Sequence, residues 1–343
     1  MGKRLADRGH EVHVFTSKYH DTLADEEVVE DILVHRYPCS RHYLLPNGSR
    51  SVDGILKYSV ETFRRLLGRD FDVCYSNQWP MVHSLLARWA SSPLVQEWCE
   101  VCDRASMVTL FQHVLKLVPD GHVAVSDFTR RRLLSILRVD DSKIGTIPNG
   151  VDNSQFLGTH RHKSWGRIIY VGRLTPHKHV ELLIDAFRRV KERAANAELH
   201  IVGAGPSLPA LKERVQGIND CYFHGFLSES KKIDLLESSW IFVLPSEREG
   251  SSLVALEAMA AGLPLVTVNY PDNAVKELHP SSCLVAEPEK DVVASAIMQL
   301  LDNEDEWKTK SVNSIVYAKQ NDWSSVARQM ESYLRGVVHS AGG

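Results

Sequence analysis

Two carboxylates and a glycine-serine run carry the chemistry most open to inference in this chain. Residues 240–268, WIFVLPSEREGSSLVALEAMAAGLPLVTV, read as an apolar strand, a loop ending in Glu249-Gly250, a helix, and a second apolar strand after Gly262 and Pro264. Glu257 lies eight positions beyond Glu249, inside the helix, with Leu253, Val254, Ala260 and Ala261 as its i±3 and i±4 neighbours. Burying a carboxylate on such an apolar face costs on the order of several kcal/mol unless a partner meets it. Between the acids, Gly250, Ser251, Ser252 and Leu253 place backbone amides at the helix N-terminus, where an anion is stabilised. Phosphate at that tip with an acid on either side suits a sugar nucleotide, one acid for ribose hydroxyls and one for the sugar. The same residues also fit a plain structural unit, with Glu257 satisfied by neighbouring backbone and Glu249 solvated.

A second set of charges follows the strand RIIYVG, in GRLTPHK. Arg173 and Lys178, five apart around a proline turn, can reach one diphosphate, Arg as a fork and Lys as a point charge. A departing diphosphate gains charge in the transition state, so these cations would stabilise it there most. A solvated basic loop is the other reading. His177 and His179 flank Lys178 within reach of a phosphate. His10, His13, His35, His122 and His200 lie in or beside strands and read as structural, and His160 and His162 carry no assignment. Arg130, Arg131 and Arg132 read as a solvated face, with an acceptor or lipid phosphate as the alternative contact. Gly203-Ala204-Gly205-Pro206 is a lone Gly-x-Gly of little weight. Cys99-Glu100-Val101-Cys102 has no second ligand pair for a metal and no thioredoxin-like setting for redox work.

The elements that must position these residues alternate. Strands are expected at 11–17, 32–38, 71–77, 93–98, 122–126 and 143–148, then at 167–172, 198–203 and 221–225, on either side of the helix within 240–268, and at 283–288, with helices between. Such alternation means parallel, doubly wound sheets. In 52–67, Ile55, Leu56, Val60, Phe63 and Leu67 recur at helical spacing and read as a core face, with a lipid surface as the other reading. Loops at 38–52 and 99–121 are candidates for an acceptor side, and Asn149-Gly150 for a hinge turn that tolerates positive φ. At 343 residues, 43% hydrophobic and 24% charged, the chain has the size and composition of a two-domain globular protein. A net charge of −3, spread over both halves, argues against nucleic acid as a partner. Six scattered cysteines favour a reducing compartment. The chain has no run of 18 apolar residues and no signal-peptide pattern, so the expected location is cytoplasmic, with a peripheral membrane contact left open.

PSEREGSSLVALEAMAAGLP resembles the Glu-x7-Glu signature of the family-4 (group 1) retaining glycosyltransferases, GRL followed by Lys178 matches the family's basic motif, and IPNGVD its interdomain segment. The resemblance implies an α/β protein of the GT-B fold, two Rossmann-like doubly wound domains facing across a cleft. Its domains would be 1–150 on the acceptor side, 151–322 for the nucleotide sugar, and a helix at 323–343 returning to the first. It implies transfer of a sugar from a nucleoside-diphosphate sugar to a glycan, lipid-linked or small-molecule hydroxyl. Arg173, Lys178 and Glu249 would be catalytic, while Gly172, Gly250, Ser251, Ser252, Leu253 and Glu257 would hold the donor. No cofactor and no essential metal are implied. Two departures stand out. The family's opening strand and glycine-rich turn are absent before MGKRLADRGH, so Met1 is expected to be an internal methionine of a longer chain whose sheet lacks a central strand here. Cys99 stands where family members carry a histidine facing the sugar, and a thiol does not replace an imidazole. Two rivals follow: a nucleotide-sugar epimerase on the same fold, and a non-catalytic sugar-nucleotide-binding form.

Overall fold

The computed structural model describes residues 1–18, 20–38, 51–90, 93–103, 107–156, 163–278 and 280–341. Most of the 38–52 loop, residues 104–106 of the other candidate acceptor loop, and His160 and His162 lie outside the described residues. The chain forms two compact units, Met1–Pro148 with Trp323–Gly343, and Asn149–Asp322.

The first unit contains α1 (Gly2–Ala6), β1 (Val12–Lys18), β2 (Glu26–Val29), β3 (Ile32–Pro38), α2 (Val52–Leu66), β4 (Cys74–Ser76), α3 (Val82–Ala90), β5 (Leu94–Trp98), α4 (Met107–Leu115), β6 (Gly121–Ala124), α5 (Asp127–Arg132) and β7 (Ile144–Thr146). Two separate ladders result: β1-β3-β2, and the all-parallel β4-β5-β6-β7. Side chains rather than backbone join them, with Phe71, just before β4, edge-on to His13 and Phe15 of β1. The strand β2 was not expected. It pairs antiparallel with β3 through a two-residue turn in which Glu30 and Asp31 both take positive φ, 50° and 63°. That turn normally announces itself with Asn-Gly or Gly, and Glu-Asp gave no such signal.

Helix α2 corrects the expected core face. Its buried residues are Gly54, Ser59, Thr62 and Leu66, while Leu56, Val60 and Leu67 are exposed. Buried hydroxyls are tolerable there because each is bonded: Ser59 to the Ile55 carbonyl, Thr62 to the Tyr58 carbonyl and to the Tyr37 hydroxyl. At the hinge segment, neither Asn149 nor Gly150 has positive φ. Instead Val151 makes an isolated parallel bridge to Asp322, its amide donating to the Asn321 carbonyl.

The second unit contains β8 (Arg167–Val171), α6 (Val180–Arg193), β9 (Glu198–Val202), α7 (Leu208–Arg214), β10 (Cys221–Gly225), α8 (Glu229–Ser238), β11 (Ile241–Leu244), β12 (Arg248–Glu249), α9 (Leu253–Ala260), β13 (Leu265–Val268), β14 (Asp272–Asn273), α10 (Val275–Leu278), β15 (Cys283–Ala286), α11 (Lys290–Asp302) and α12 (Glu304–Gln320). Its six-stranded sheet is all parallel in the order β10-β9-β8-β11-β13-β15. Strands buried on both faces read as continuous apolar runs, and IFVL and LVTV are fully buried. Helix α6 covers the sheet with Val180, Leu183, Ile184, Ala186, Phe187 and Val190, the buried stripe of a helix with period 3.6. The final helix, α13 (Trp323–Ala341), packs in the first unit. There the Tyr333 hydroxyl meets the backbone of His122 and donates to the Lys143 carbonyl.

Candidate active site

Strand order in the second unit reverses between β8 and β11, and ligands of doubly wound sheets bind beyond the carboxyl ends of the strands at such a point. The loops leaving those two strands carry Arg173 and Lys178 on one side and Glu249 on the other. Lys178 Nζ donates to Glu249 Oε1 at 2.6 Å, with only 13% and 10% of the two side chains exposed. Arg173 is exposed, and among the described residues no ion pair involves it. His177 lies between: burial, then the charges of Lys178, Arg248 and Arg173, lower its pKa to about 4. The imidazole is therefore neutral at ordinary pH and adds no charge for a phosphate. His179 is engaged otherwise, stacked on Tyr270 at 5.2 Å and 3.1 Å from Glu181.

Glu249 is held by backbone as well as by Lys178. It pairs with Asn273 across β12 and β14, and the Ala274 amide donates to its carbonyl at 2.7 Å. Asn273 is fully buried, its amide donating to Thr267 Oγ1 and the Val268 carbonyl. Next along the chain, Ser252 caps α9, its hydroxyl accepting from the Ala255 amide. Helix geometry leaves the first-turn amides of α9 without intrahelical acceptors. Glu257 is not satisfied by backbone. Its Oε2 lies 2.7 Å from Lys232 Nζ of α8, and Lys232 also pairs with Glu229.

Gly172 and the loop after it are positioned by residues that carried little weight in the sequence. A Cβ on Gly203, whose φ is +129°, would stand 1.9 Å from the Gly172 carbonyl oxygen, and one on Gly205 would stand 2.2 Å from that of Leu174. Only glycine lets the loop after β9 pack against the Arg173 loop this closely. The two are stitched by Leu174 N–H to the Ala204 carbonyl and Ser207 N–H to the Leu174 carbonyl. Tyr170 adds a hydroxyl donated to the Arg173 carbonyl at 3.0 Å.

Two family models match the chain, Glycosyltransferase Family 4 over residues 1–155 and Glycosyl transferases group 1 over residues 166–303. The chain is a family-4 (group 1) glycosyltransferase. It is 26% identical to a phosphatidyl-myo-inositol mannosyltransferase of Mycobacterium tuberculosis over 338 residues, 88% of each chain. It is 25% identical to a mannosylfructose-phosphate synthase of Agrobacterium fabrum, over 78% of this chain and 68% of that protein. Among solved structures, a sucrose-phosphate synthase from Thermosynechococcus elongatus superposes with a TM-score of 0.77 at 18% identity, covering 99% of this chain and 92% of the other. A trehalose-6-phosphate protein from E. coli bound with UDP-2-fluoro glucose also gives 0.77, at 13% identity, with 98% and 94% covered. At these identities the structures establish the fold, which is GT-B.

The first unit of this glycosyltransferase contributes no imidazole at the end of β5. Cys99 is there, its thiol 3.3 Å from Glu97 Oε1 and its pKa raised by burial and by Glu97. The loop is fixed by Gln78, whose Oε1 accepts from the Cys99 and Glu100 amides, and by Gln112, whose Oε1 accepts from the Cys102 amide. Both glutamines are fully buried. The five described cysteines are free, and no cluster of metal-ligating side chains occurs among the described residues. Arg130 and Arg132 are tied into the fold through Asp141 and Asp103. No helix among the described residues is long and apolar enough to cross a membrane. The residues that sequence reasoning missed are Lys232, Asn273, Tyr170 and Arg248. Arg248 alone had a local signal, as the base inside PSEREG.

Proposed function

We propose that this glycosyltransferase moves a sugar from a nucleoside-diphosphate sugar to an acceptor hydroxyl with retention of anomeric configuration. The supporting observation is the Lys178–Glu249 pair beside Arg173 and the start of α9, at the switch point of the second unit. In this reading Arg173 and Lys178 stabilise the departing diphosphate, helped by the amides of Gly250, Ser251, Ser252 and Leu253. Glu249 orients the sugar through its hydroxyls, and Glu257 accepts hydrogen bonds from the ribose. Gly172 keeps backbone close to the donor. The new C–O bond forms on the face from which the diphosphate oxygen leaves, and the acceptor proton departs with the diphosphate. Charge neutralisation falls to side chains, so transfer is expected to persist in EDTA.

The test is to incubate the chain with UDP-glucose, UDP-N-acetylglucosamine or GDP-mannose and candidate acceptors, and assign the product's anomeric configuration by NMR. An α-linked product from an α-linked donor is expected. An inverted product would remove the retaining mechanism, and isomerised donor without acceptor would establish an epimerase instead. Binding without turnover, the reading that Cys99 favours, would show as nucleotide affinity with no product, and turnover gained in Cys99→His would trace the loss to that thiol. For the acceptor, Leu56 and Val60 of α2, exposed beside Arg64, with Leu67 just past the helix end, support a membrane-peripheral enzyme acting on a lipid-linked hydroxyl. Sedimentation with anionic vesicles is expected, and its loss in Leu56→Asp/Val60→Asp; a chain that stays in the supernatant argues for a soluble acceptor.

A further inference from the structure

Glu257 meets its counter-ion from a neighbouring helix, and the details of that contact go beyond a salt bridge. The buried oxygen Oε2 lies 2.7 Å from Lys232 Nζ, within reach of a charge-assisted hydrogen bond. Lys232 is 17% and Glu257 23% exposed; since Oε2 itself is buried, the exposure belongs to the rest of the side chain. The ammonium thus engages the inner oxygen and leaves Oε1, with most of the carboxylate's roughly four acceptor sites, for a ligand. Geometry between the two helices is fixed at their far ends. Lys163 Nζ donates to the Glu237 and Ser239 carbonyls at the end of α8 and to the Ala261 carbonyl at the end of α9. Burial raises the pKa of Glu257, Lys232 opposes that rise, and Glu229 adds to it. An ionised carboxylate accepts from both hydroxyls of a vicinal diol, whereas a protonated one gives up part of that capacity.

We propose that Lys232 is the positioning residue for donor ribose recognition, holding Glu257 ionised and oriented so that it accepts from the 2′- and 3′-hydroxyls of a nucleoside diphosphate. This rests on the reading of Glu257 as the ribose acid. Lys232 acts through Glu257 and touches no substrate.

The test uses titration calorimetry with UDP or GDP, and with the matching 2′,3′-dideoxynucleoside diphosphate, from about pH 5 to 8. Lys232→Met is expected to weaken ribonucleotide binding about tenfold near neutral pH. It should also move the acid-side loss of binding to higher pH and leave the dideoxy analogue unchanged. Lys232→Arg should restore most of the affinity. In a Glu257→Gln background Lys232→Met should change nothing further. If Lys232→Met does not fold, Lys232→Gln carries the same expectations. Equal losses for both nucleotides, additive losses in the double variant, or an unmoved pH limb would overturn the role of Lys232 alone. A Glu257→Gln chain that still prefers ribonucleotide over dideoxynucleotide would overturn the ribose reading, and this proposal with it.

Discussion

At the Lys178–Glu249 contact, attraction has to offset the removal of two ions from water. The pair is nearly dry and its separation is 2.6 Å. Deleting one partner strands the other, so Lys178→Ala is expected to cost about 3–5 kcal/mol of stability and to slow transfer by about 10²–10³-fold. The double variant Lys178→Met/Glu249→Gln leaves no stranded charge. It should recover most of the melting temperature and none of the turnover, a combination read by thermal denaturation alongside a transfer assay. If Lys178→Ala melts like the parent chain, the pair is not structural. His177 gives a pH expectation. Its pKa of about 4 keeps it neutral through the working range. His177→Gln should therefore leave the pH profile of transfer unshifted between about pH 5 and 8.

Elements are held in place by groups that take no part in the chemistry. Gly203 is one: a methyl there collides with backbone, not with a flexible side-chain end. Gly203→Ala should push the Arg173 loop aside, lowering the melting temperature and weakening diphosphate binding together; unchanged affinity in calorimetry would separate loop from site. Lys163 is another. Burial brings its pKa down to about 7, while three carbonyl acceptors at two helix ends favour the ammonium. Lys163→Met leaves those carbonyls without their donor, at a cost of about 1–3 kcal/mol by denaturant titration. The end of α9 has further support, since Ser311 and Ser314 of α12 donate to the Gly262 and Leu263 carbonyls. Local sequence announced the glycine pair but not its purpose. A Gly-x-Gly becomes meaningful only when the loop it packs against is known.

The first unit is closed by the two ends of the chain. Glu331 of α13 contacts Arg335 of its own helix, then Arg8 and His10 near the N-terminus, and these hold its pKa at about 2. A carboxylate whose pKa folding depresses adds stability above its unfolded value of about 4.3 and loses it as pH falls through the folded value. Glu331→Gln should therefore lower the melting temperature at neutral pH, and the difference from the parent chain should shrink below about pH 4 and vanish near 2. A difference that persists at pH 2 would assign the effect to packing instead.

The order of apolar runs and helices was legible in the sequence because strands of a parallel sheet are buried on both faces and helices bury one stripe. The sequence also marked Arg173, Lys178, Glu249 and Glu257 as a set, since their spacing within two strand–helix units belongs to the chain itself. Partner choice lay beyond it. That Lys178 meets Glu249, and that Glu257 meets Lys232 instead of backbone, depends on which strands sit side by side at the β8–β11 reversal and on how α8 lies against α9. The face of α2 was likewise decided in three dimensions, where bonded hydroxyls made Ser59 and Thr62 cheaper to bury than their polarity suggests. Charge pairing and burial are set by contacts between residues distant in sequence, and spacing along one segment carries no record of them.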